Sequence, residues 1–434
     1  MKKFLISVFS VMLVAAMVLT FAACKNKDGD DAENVETGNF TYELVTNKDG
    51  LSCYDKDGKE IVDENGEAKK FDKYYKVTGF TVSADDLDKI ALGDYSTVEK
   101  YRTVSIPETY EGLKGATENY PVREIEQSAF AGNKVFTSVT VGKHIAKIGE
   151  GAFSGTVNLK SLTLPYIGGS IDAKNEEKLF AYIFGSVSYD SGVTSSTVKT
   201  NIVYDDGGTD VSGNTELTYY LPSGLTDVTI TGGTLPACAF LNASTLKKVN
   251  LPDGIEVISS SAFSGCTSLI EFKLPASVKK IADRAFYGAS KLYKFDFNGA
   301  AVEEIGKNAF ASCSALADET IGSFGFTLPA TLKTVGESAF DACVSLKTID
   351  FSATGVTVIT SSAFNGCNSL RKVVLKDGTT VKTAAFKGCS SLTWKGVFDK
   401  DGNTVFDKDG NVIRTDDFIT EPDAFDDLDF EKHV

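Results

Sequence analysis

Apolar residues recur along this chain in one fixed pattern. Inside it, the dipeptide Ala-Phe occurs nine times, with an aliphatic residue five positions before each phenylalanine and an apolar residue, usually leucine, six positions after it. The phenylalanines are Phe130, Phe153, Phe240, Phe263, Phe286, Phe310, Phe340, Phe364 and Phe386. Most are about 23 residues apart, but one interval of 87 and one of 30 residues interrupt the period. Such a period predicts a repeat protein in which each copy forms one coil of a stacked array.

A short stretch of alternating apolar and polar residues follows the leucine in most copies. It is typical of a half-buried strand, and a proline such as Pro275 often ends it because proline cannot continue a ladder. One coil cannot bury its apolar residues alone, whereas stacked coils bury them in a continuous core. The pattern therefore predicts a mostly β solenoid of ~23-residue coils with short parallel strands.

The repeat reads V-x-x-I-x-x-x-A-F-x-x-C-x-x-L-x-x-V-x-L-P, seen most plainly in VISSSAFSGCTSLIEFKLP at 257–275. This sequence resembles the BspA-like class of bacterial leucine-rich repeats, over about residues 101–394. The resemblance implies a solenoid displayed at the cell surface for attachment, and it implies no particular ligand.

The two ends of the chain differ in composition from the array. We expect a signal peptide (1–23), an acidic tether (24–39), an N-terminal β capping region (40–100), the repeat array (101–394) with an insertion at 166–221, and an acidic C-terminal hairpin and tail (395–434). Asp-Gly and Asn-Gly turns at 54–67 and 398–412 favour β-hairpins that cap the solenoid. Their spacing does not match an EF-hand calcium loop.

The N-terminus has the layout of a lipoprotein signal. Lys2 and Lys3 precede an apolar run that ends in Ala22, Ala23 and Cys24. We expect cleavage before Cys24 and its lipidation, which would anchor the protein to the bacterial cell membrane and expose it at the cell surface. An uncleaved membrane helix is the alternative, and both interpretations put the rest of the chain outside the cytoplasm.

Charge and motifs argue against several functional classes. The net charge is −15, and residues 398–434 carry 12 Asp and Glu against 4 Lys and Arg, so no basic surface favours nucleic acid. The two histidines, His144 and His433, lack the partners of a catalytic triad. We expect no enzyme activity, metal or cofactor; a hydrolase of surface polymers with paired carboxylates remains a remote alternative.

Five cysteines stand three residues after a repeat phenylalanine: Cys266, Cys313, Cys343, Cys367 and Cys389. Ala289 holds the same position in another copy, which indicates a small, buried site. We predict free, packed thiols, with disulfides as the alternative because an exported chain can be oxidised.

Two surfaces could hold a ligand, and the insertion is the better candidate. The strands expose an outward column that includes Lys273, Asp296 and Asp350, although ion pairing between neighbouring strands also explains these charges. The insertion carries Tyr182, Tyr189, Tyr204 and Tyr219, although these aromatics could instead dock it against neighbouring coils.

The sequence thus favours a lipid-anchored, non-catalytic scaffold that binds an extracellular protein or glycan, with the membrane as a second partner through Cys24. A structural component of the cell envelope without a soluble ligand is the alternative.

Overall fold

A computed structural model describes residues 39–46, 67, 73–92, 94, 96–110, 120–188, 197–204, 215–318, 326–376, 379–392 and 397–398. The expected signal peptide, Cys24, Tyr189, His433, and most of the tether, the two predicted hairpin turns and the acidic tail lie outside these residues.

The described part of the chain is mostly strand. The strands are β1 (Phe40–Thr46), β2 (Lys73–Phe80), β3 (Thr103–Ser105), β4 (Thr109–Tyr110), β5 (Tyr120–Ile125), β6 (Ser138–Thr140), β7 (Lys147–Ile148), β8 (Ser161–Leu164), β9 (Thr197–Tyr204), β10 (Thr215–Pro222), β11 (Asp227–Ile230) and β12 (Lys248–Asn250). They continue with β13 (Val257–Ile258), β14 (Glu271–Lys273), β15 (Lys280–Ile281), β16 (Lys294–Asp296), β17 (Glu304–Ile305), β18 (Thr334–Val335), β19 (Thr348–Asp350), β20 (Val358–Ile359), β21 (Lys372–Val374), β22 (Thr380–Val381) and β23 (Val397–Phe398). The helices are α1 (Ala84–Ala91) and three 3₁₀ helices, Ser96–Tyr101, Asn175–Lys178 and Phe180–Phe184.

Each regular coil contributes one strand to each of two rows. The longer strands β3, β6, β8, β11, β12, β14, β16, β19 and β21 form one row, whose outward side we name the A face. The two-residue strands β7, β13, β15, β17, β18, β20 and β22 form the second row, named the B row. Pairing is parallel and in register, so Ile258 lies beside Ile281 and Ile281 beside Ile305. The predicted leucine-rich repeat solenoid with short parallel strands is confirmed.

The third side of each coil is the turn that carries the Ala-Phe dipeptide. The Phe240 and Phe263 rings stack with centroids 5.2 Å apart, and the Phe340 and Phe364 rings do the same. In most repeat coils the amide N–H of the phenylalanine also donates to the carbonyl of the alanine that precedes the next repeat phenylalanine, as Phe263 donates to Ala285 at 2.8 Å. We name this stack the phenylalanine column. It binds neighbouring coils through both apolar contact and backbone hydrogen bonds.

Left-handed residues flank the Ala-Phe dipeptide on both sides. In the coil of Phe340, Ser338 has φ 53° and Ala342 has φ 56°, and equivalent residues in the other repeat coils also have positive φ. Non-glycine residues in this region cost about 1–2 kcal/mol, so the stacked neighbours must enforce the conformation.

The cysteine positions behave as predicted from their exchange with alanine. Cys266, Cys313, Cys343, Cys367 and Cys389 are buried and free. Each thiol donates to the carbonyl of the phenylalanine in the coil before its own, as Cys313 Sγ does to Phe286 at 3.0 Å. Burial raises the pKa of Cys266 to about 12, so its thiol stays protonated as a donor. The prediction that these positions are small, buried packing sites is therefore confirmed.

The N-terminal end extends the B row with different strands. β1 pairs antiparallel with β2, β2 pairs parallel with β5, and β5 pairs parallel with β7. Aromatic rings cover the end of the core: Tyr42 stacks on Tyr110 at 4.1 Å, and Phe40 meets Phe130 edge-on at 6.1 Å.

The 87-residue interval leaves the array almost unbroken. β8 pairs directly with β11 in register, so the insertion adds no strand to the A face. On the third side, Phe153 donates to the carbonyl of Ile183, and Phe180 donates to the carbonyl of Ala239. Phe180 and Phe184 thus continue the phenylalanine column, and the insertion does not simply replace a coil.

Candidate functional site

Two of the predicted tyrosines lie in the packed base of the insertion. Tyr182 is half-buried, and burial together with Glu177, Glu150 and Glu176 raises its pKa to about 12. Tyr219 on β10 is only 5% exposed, and burial raises its pKa as well. Their packing matches the alternative that the insertion aromatics dock against the coils, and Tyr219 offers no surface to a ligand.

Tyr204 and Tyr189 cannot be placed as contacts in the same way. Tyr204 pairs with Thr215 at the far end of the β9–β10 ribbon, where side chains lie outside the described residues. Tyr189 also lies outside them.

On the A face, ion pairs form in a row of charges beside the predicted outward column. Lys248 and Lys294 lie 3.9 and 3.7 Å from the Glu271 carboxylate between them. Lys273 and Asp296 are register neighbours, but the described residues contain no ion pair between them. Lys273 is an exposed cation in the middle of this face.

The two predicted aspartates of the A face have a structural role that was not foreseen. Asp296 accepts a hydrogen bond from the N–H of Asn298 at 2.7 Å, and Asp350 accepts one from the N–H of Ser352 at 2.8 Å. Each carboxylate thereby fixes the turn after its strand. Both residues remain exposed. Val374, which the strand alternation predicts to point outward, is instead buried at 6% exposure.

A groove opens beside Asp296, at the 30-residue interval. Its volume is about 490 Å³, and it lies between residues 295–301 and 327–331. Polar side chains on its walls include Asp296, Asn298 and Thr327, and Phe297 and Pro329 add apolar surface. A cleft with a few polar groups on an apolar lining is the usual form of a binding site.

The groove results from where the extra residues enter the coil. Ala317 still donates to the carbonyl of Tyr293 at 3.0 Å, as the equivalent residues do in regular coils. The chain returns to the repeat at Phe326, which packs against Phe310 and Phe340. Among the described residues, β16 pairs only with β14, so the ladder lapses on the groove side. In the sequence, the only sign of the opening is the shift of Phe326 from the position that the period gives it.

The comparisons with known proteins identify the repeat. A family model described as "BspA type Leucine rich repeat region (6 copies)" matches residues 108–183, 233–324 and 324–400, which is more than half of the chain. The chain belongs to the BspA-type leucine-rich repeat family. The expected resemblance is therefore confirmed. No curated protein matches the chain.

Several solved structures are similar to this BspA-type chain. A leucine-rich repeat protein from Bacteroides ovatus is 21% identical, with 84% of this chain and 78% of that chain covered and a TM-score of 0.38. A leucine rich cell surface protein from Faecalibacterium prausnitzii is 18% identical, covers 80% and 94%, and has a TM-score of 0.27. A T. pallidum leucine rich repeat protein is 16% identical, covers 77% and 87%, and scores 0.21. These scores are low, so the family assignment rests on the repeat match.

His144 is the one described histidine of this BspA-type array. Its side chain is 7% exposed, and neither ring nitrogen has a hydrogen-bond partner among the described residues. Burial and Arg123 lower its pKa, while the carboxylate of Glu108, 3.9 Å from Nδ1, acts in the opposite direction. In two other coils Ser277 and Thr331 fill this position and donate to the preceding coil. His144 is thus a buried, neutral packing residue.

The described residues show neither a metal site nor a membrane span. They contain no group of three or more His, Cys, Asp or Glu side chains that could hold a metal ion. None of their helices has the length and apolar character needed to cross a bilayer.

Proposed function

We propose that this BspA-type protein is a lipid-anchored binding scaffold at the bacterial cell surface, and that it performs no chemical reaction. The groove on the A face is the proposed contact surface for an extracellular protein or glycan. The observation that carries this proposal is the opening between Asp296 and Thr327 in an otherwise closely stacked array.

The chemistry of the groove supports a macromolecular ligand with many hydroxyl or amide groups. Asp296 is an exposed acceptor, Lys273 beside it is an exposed donor, and Thr327 supplies a hydroxyl. Phe297 and Pro329 give a ligand apolar surface to cover. Rigid coils hold these groups before binding, so little ordering entropy is lost. Asp350, two coils beyond Asp296 on the same face, would extend the contact.

The proposal is tested by capture on residues 24–434 carrying Cys24→Ser, screened against extracellular matrix proteins, glycans and envelope extracts. Thr327→Trp would fill the groove, and Asn250→Trp is the matched control because both residues are exposed and hold the same position in their repeats. We expect saturable binding that Thr327→Trp reduces at least tenfold and Asn250→Trp leaves unchanged. Equal binding by the parent protein and both tryptophan variants would show that the groove is not the contact surface. Absence of any partner for the folded protein would favour a structural envelope role.

Anchoring is tested separately. We expect the unmodified protein to partition into detergent with a lipid on Cys24, and the Cys24→Ser protein to remain in the aqueous phase. Mass spectrometry showing an intact N-terminus and an unmodified Cys24 would contradict the anchor without affecting the groove.

A further inference from the structure

The insertion adds a two-stranded ribbon to the array, formed by β9 and β10. The strands pair antiparallel over their whole length, from Thr197 opposite Pro222 to Tyr204 opposite Thr215, without a register shift. Within the described part of the chain, no further strand pairs with either of them. The ribbon therefore has two outer edges, and these differ in what they contact.

The edge of β10 is joined to the array at its base. The N–H of Tyr220 donates to the carbonyl of Gly185 at 3.1 Å, so this N–H points away from β9. Bonded and non-bonded positions alternate along an antiparallel pair. Lys199 lies opposite Tyr220, and its own N–H and C=O must therefore point away from β10. Pro222 agrees with this alternation, because it has no N–H to give to Thr197 opposite.

The outer edge of β9 presents the backbone groups of every second residue. These residues are Thr197, Lys199, Asn201 and Val203. No described strand pairs with them on that side. A row of outward N–H and C=O groups at a sheet edge is a template to which another strand can add.

β9 also lacks the features that usually protect an edge strand. Its sequence, TVKTNIVY, holds five β-branched residues, a single charge and neither proline nor glycine. The edge strand β1 differs, since it has a bulge between Thr41 and Tyr42, and its Glu43 carboxylate lies 3.0 Å from Lys76 Nζ. Bulges and charges hinder pairing between edges, so β1 is protected and β9 is open to pairing.

We propose that β9 pairs with β9 of a second copy of this chain, antiparallel about a two-fold axis at Asn201. Asn201 is one of the outward residues, so its N–H and C=O can bond with those of Asn201 of the second copy. In this register Lys199 lies opposite Val203 of the second copy. The single charge of the strand therefore does not face itself, which would oppose pairing.

The remaining positions also match in this register. Val198 lies opposite Tyr204 of the second copy, and Thr200 lies opposite Ile202, and such aromatic and β-branched pairs stabilise neighbouring strands. The edge is thus complementary to itself, as a two-fold interface requires, and this favours a second copy as the occupant. The product is a four-stranded sheet, β10-β9-β9-β10, joined by about six new backbone hydrogen bonds. The inference does not depend on the groove, which lies at the other interruption.

The test is analytical ultracentrifugation of residues 24–434 with Cys24→Ser over a range of concentrations. We expect a reversible dimer whose Kd rises at least tenfold in Asn201→Pro, because proline removes the central outward N–H and leaves the bonds to β10 in place. Glu216→Pro is the matched control. Glu216 lies opposite Val203, so it holds an outward position on the edge of β10, and its replacement should leave the dimer unchanged.

A cysteine at the two-fold axis tests the register even if the proline variant does not fold. The two Cα atoms of a bonded antiparallel pair are about 5.5 Å apart, which a disulfide can span. With Cys24→Ser and Cys53→Ser as the background, Asn201→Cys should give a disulfide-linked dimer on mild oxidation, and Glu216→Cys should give at least tenfold less.

Three results would overturn the proposal. A monomer at every concentration would mean that β9 does not pair with a second copy. A dimer that is equally stable in the folded Asn201→Pro protein would place the interface elsewhere. Equal crosslinking through Asn201→Cys and Glu216→Cys would mean random collision of the ribbons.

Discussion

The two interruptions of the repeat have effects opposite to their sizes. The long one spans 87 residues between Phe153 and Phe240, yet β8 pairs directly with β11 and the phenylalanine column continues through Phe184 and Phe180. The short one adds only a few residues, yet among the described residues the A-face ladder lapses beside β16 and a groove opens. The position at which extra residues enter a coil therefore matters more than their number. Residues added between two strands can loop away, whereas residues added at the start of a strand displace it.

The largest expected effect concerns the phenylalanines at the two interruptions. Phe184 is fully buried in the column, so Phe184→Ala should lower the free energy of unfolding by about 3–5 kcal/mol, as for other buried phenylalanines. Phe326 is 9% exposed beside the groove, so Phe326→Ala should cost less. Hydrogen exchange at the Phe153 amide reports the first change locally, because that N–H donates to Ile183.

Tyr287→Ala is the control for both, since Tyr287 is 44% exposed and should change stability by less than about 0.5 kcal/mol. If Phe184→Ala lowers the free energy of unfolding by less than Phe326→Ala does, the long insertion is not part of the core.

Gly168 and Gly299 have similar backbone geometry, so alanine substitutions at these two positions compare how tightly the two interruptions are packed. Gly168 has φ 83° and a Cβ there would overlap the carbonyl of Glu177, whereas Gly299 in the groove wall has φ 72° and no atom within 4 Å of such a Cβ. Both alanine substitutions incur the left-handed strain of about 1 kcal/mol. We expect Gly168→Ala to lower the free energy of unfolding by at least about 2 kcal/mol more than Gly299→Ala does, because the backbone at Glu177 must also move. Equal losses in chemical denaturation would contradict a tightly packed long interruption.

Two thiol hydrogen bonds, one across the short interruption and one across a regular interval, test whether the opening is confined to the strand side. Cys343 Sγ donates to the carbonyl of Phe310 at 3.1 Å across this interval, and Cys367 Sγ makes the same bond to Phe340 across a regular one. Loss of one such bond should cost about 1 kcal/mol in Cys343→Ala and in Cys367→Ala alike. A negligible effect for Cys343→Ala alone would show that the opening reaches the phenylalanine column.

The smallest expected effect is a pH dependence in the coil before the long interruption. The pKa of His144 is lowered in the folded protein, so the unfolded state binds more protons as the pH falls below about 6.5. Stability should therefore fall from pH 7 toward pH 5, and His144→Ser should reduce this loss because serine fills the same position in another coil. An identical pH profile for both proteins in denaturant titrations would refute a buried neutral histidine.

The fold was predictable from the sequence because one apolar pattern repeats at a constant period. The pattern did not predict the roles of Phe180 and Phe184, because neither belongs to an Ala-Phe dipeptide at the expected spacing. Only the packing of their rings shows that they continue the column. The site was less predictable. The sequence predicts Asp296 and Asp350 as surface charges. It does not predict that each accepts a hydrogen bond from the turn after its strand, because that bond depends on the backbone geometry of the turn. The buried state of Tyr219 depends on contacts between segments far apart in sequence, which a repeat pattern does not encode.

The most direct test of the central claim is to close the groove by restoring the period. Replacing residues 318–325 with a single lysine would bring the interval between Phe310 and Phe340 to the common length of 23 residues. Saturable binding to the captured partner is then measured for this variant and for its parent, with chemical denaturation as the check on folding. We expect the free energy of unfolding to be retained or increased and binding to fall at least tenfold. Undiminished binding by a folded variant would contradict the assignment of the groove as the contact surface.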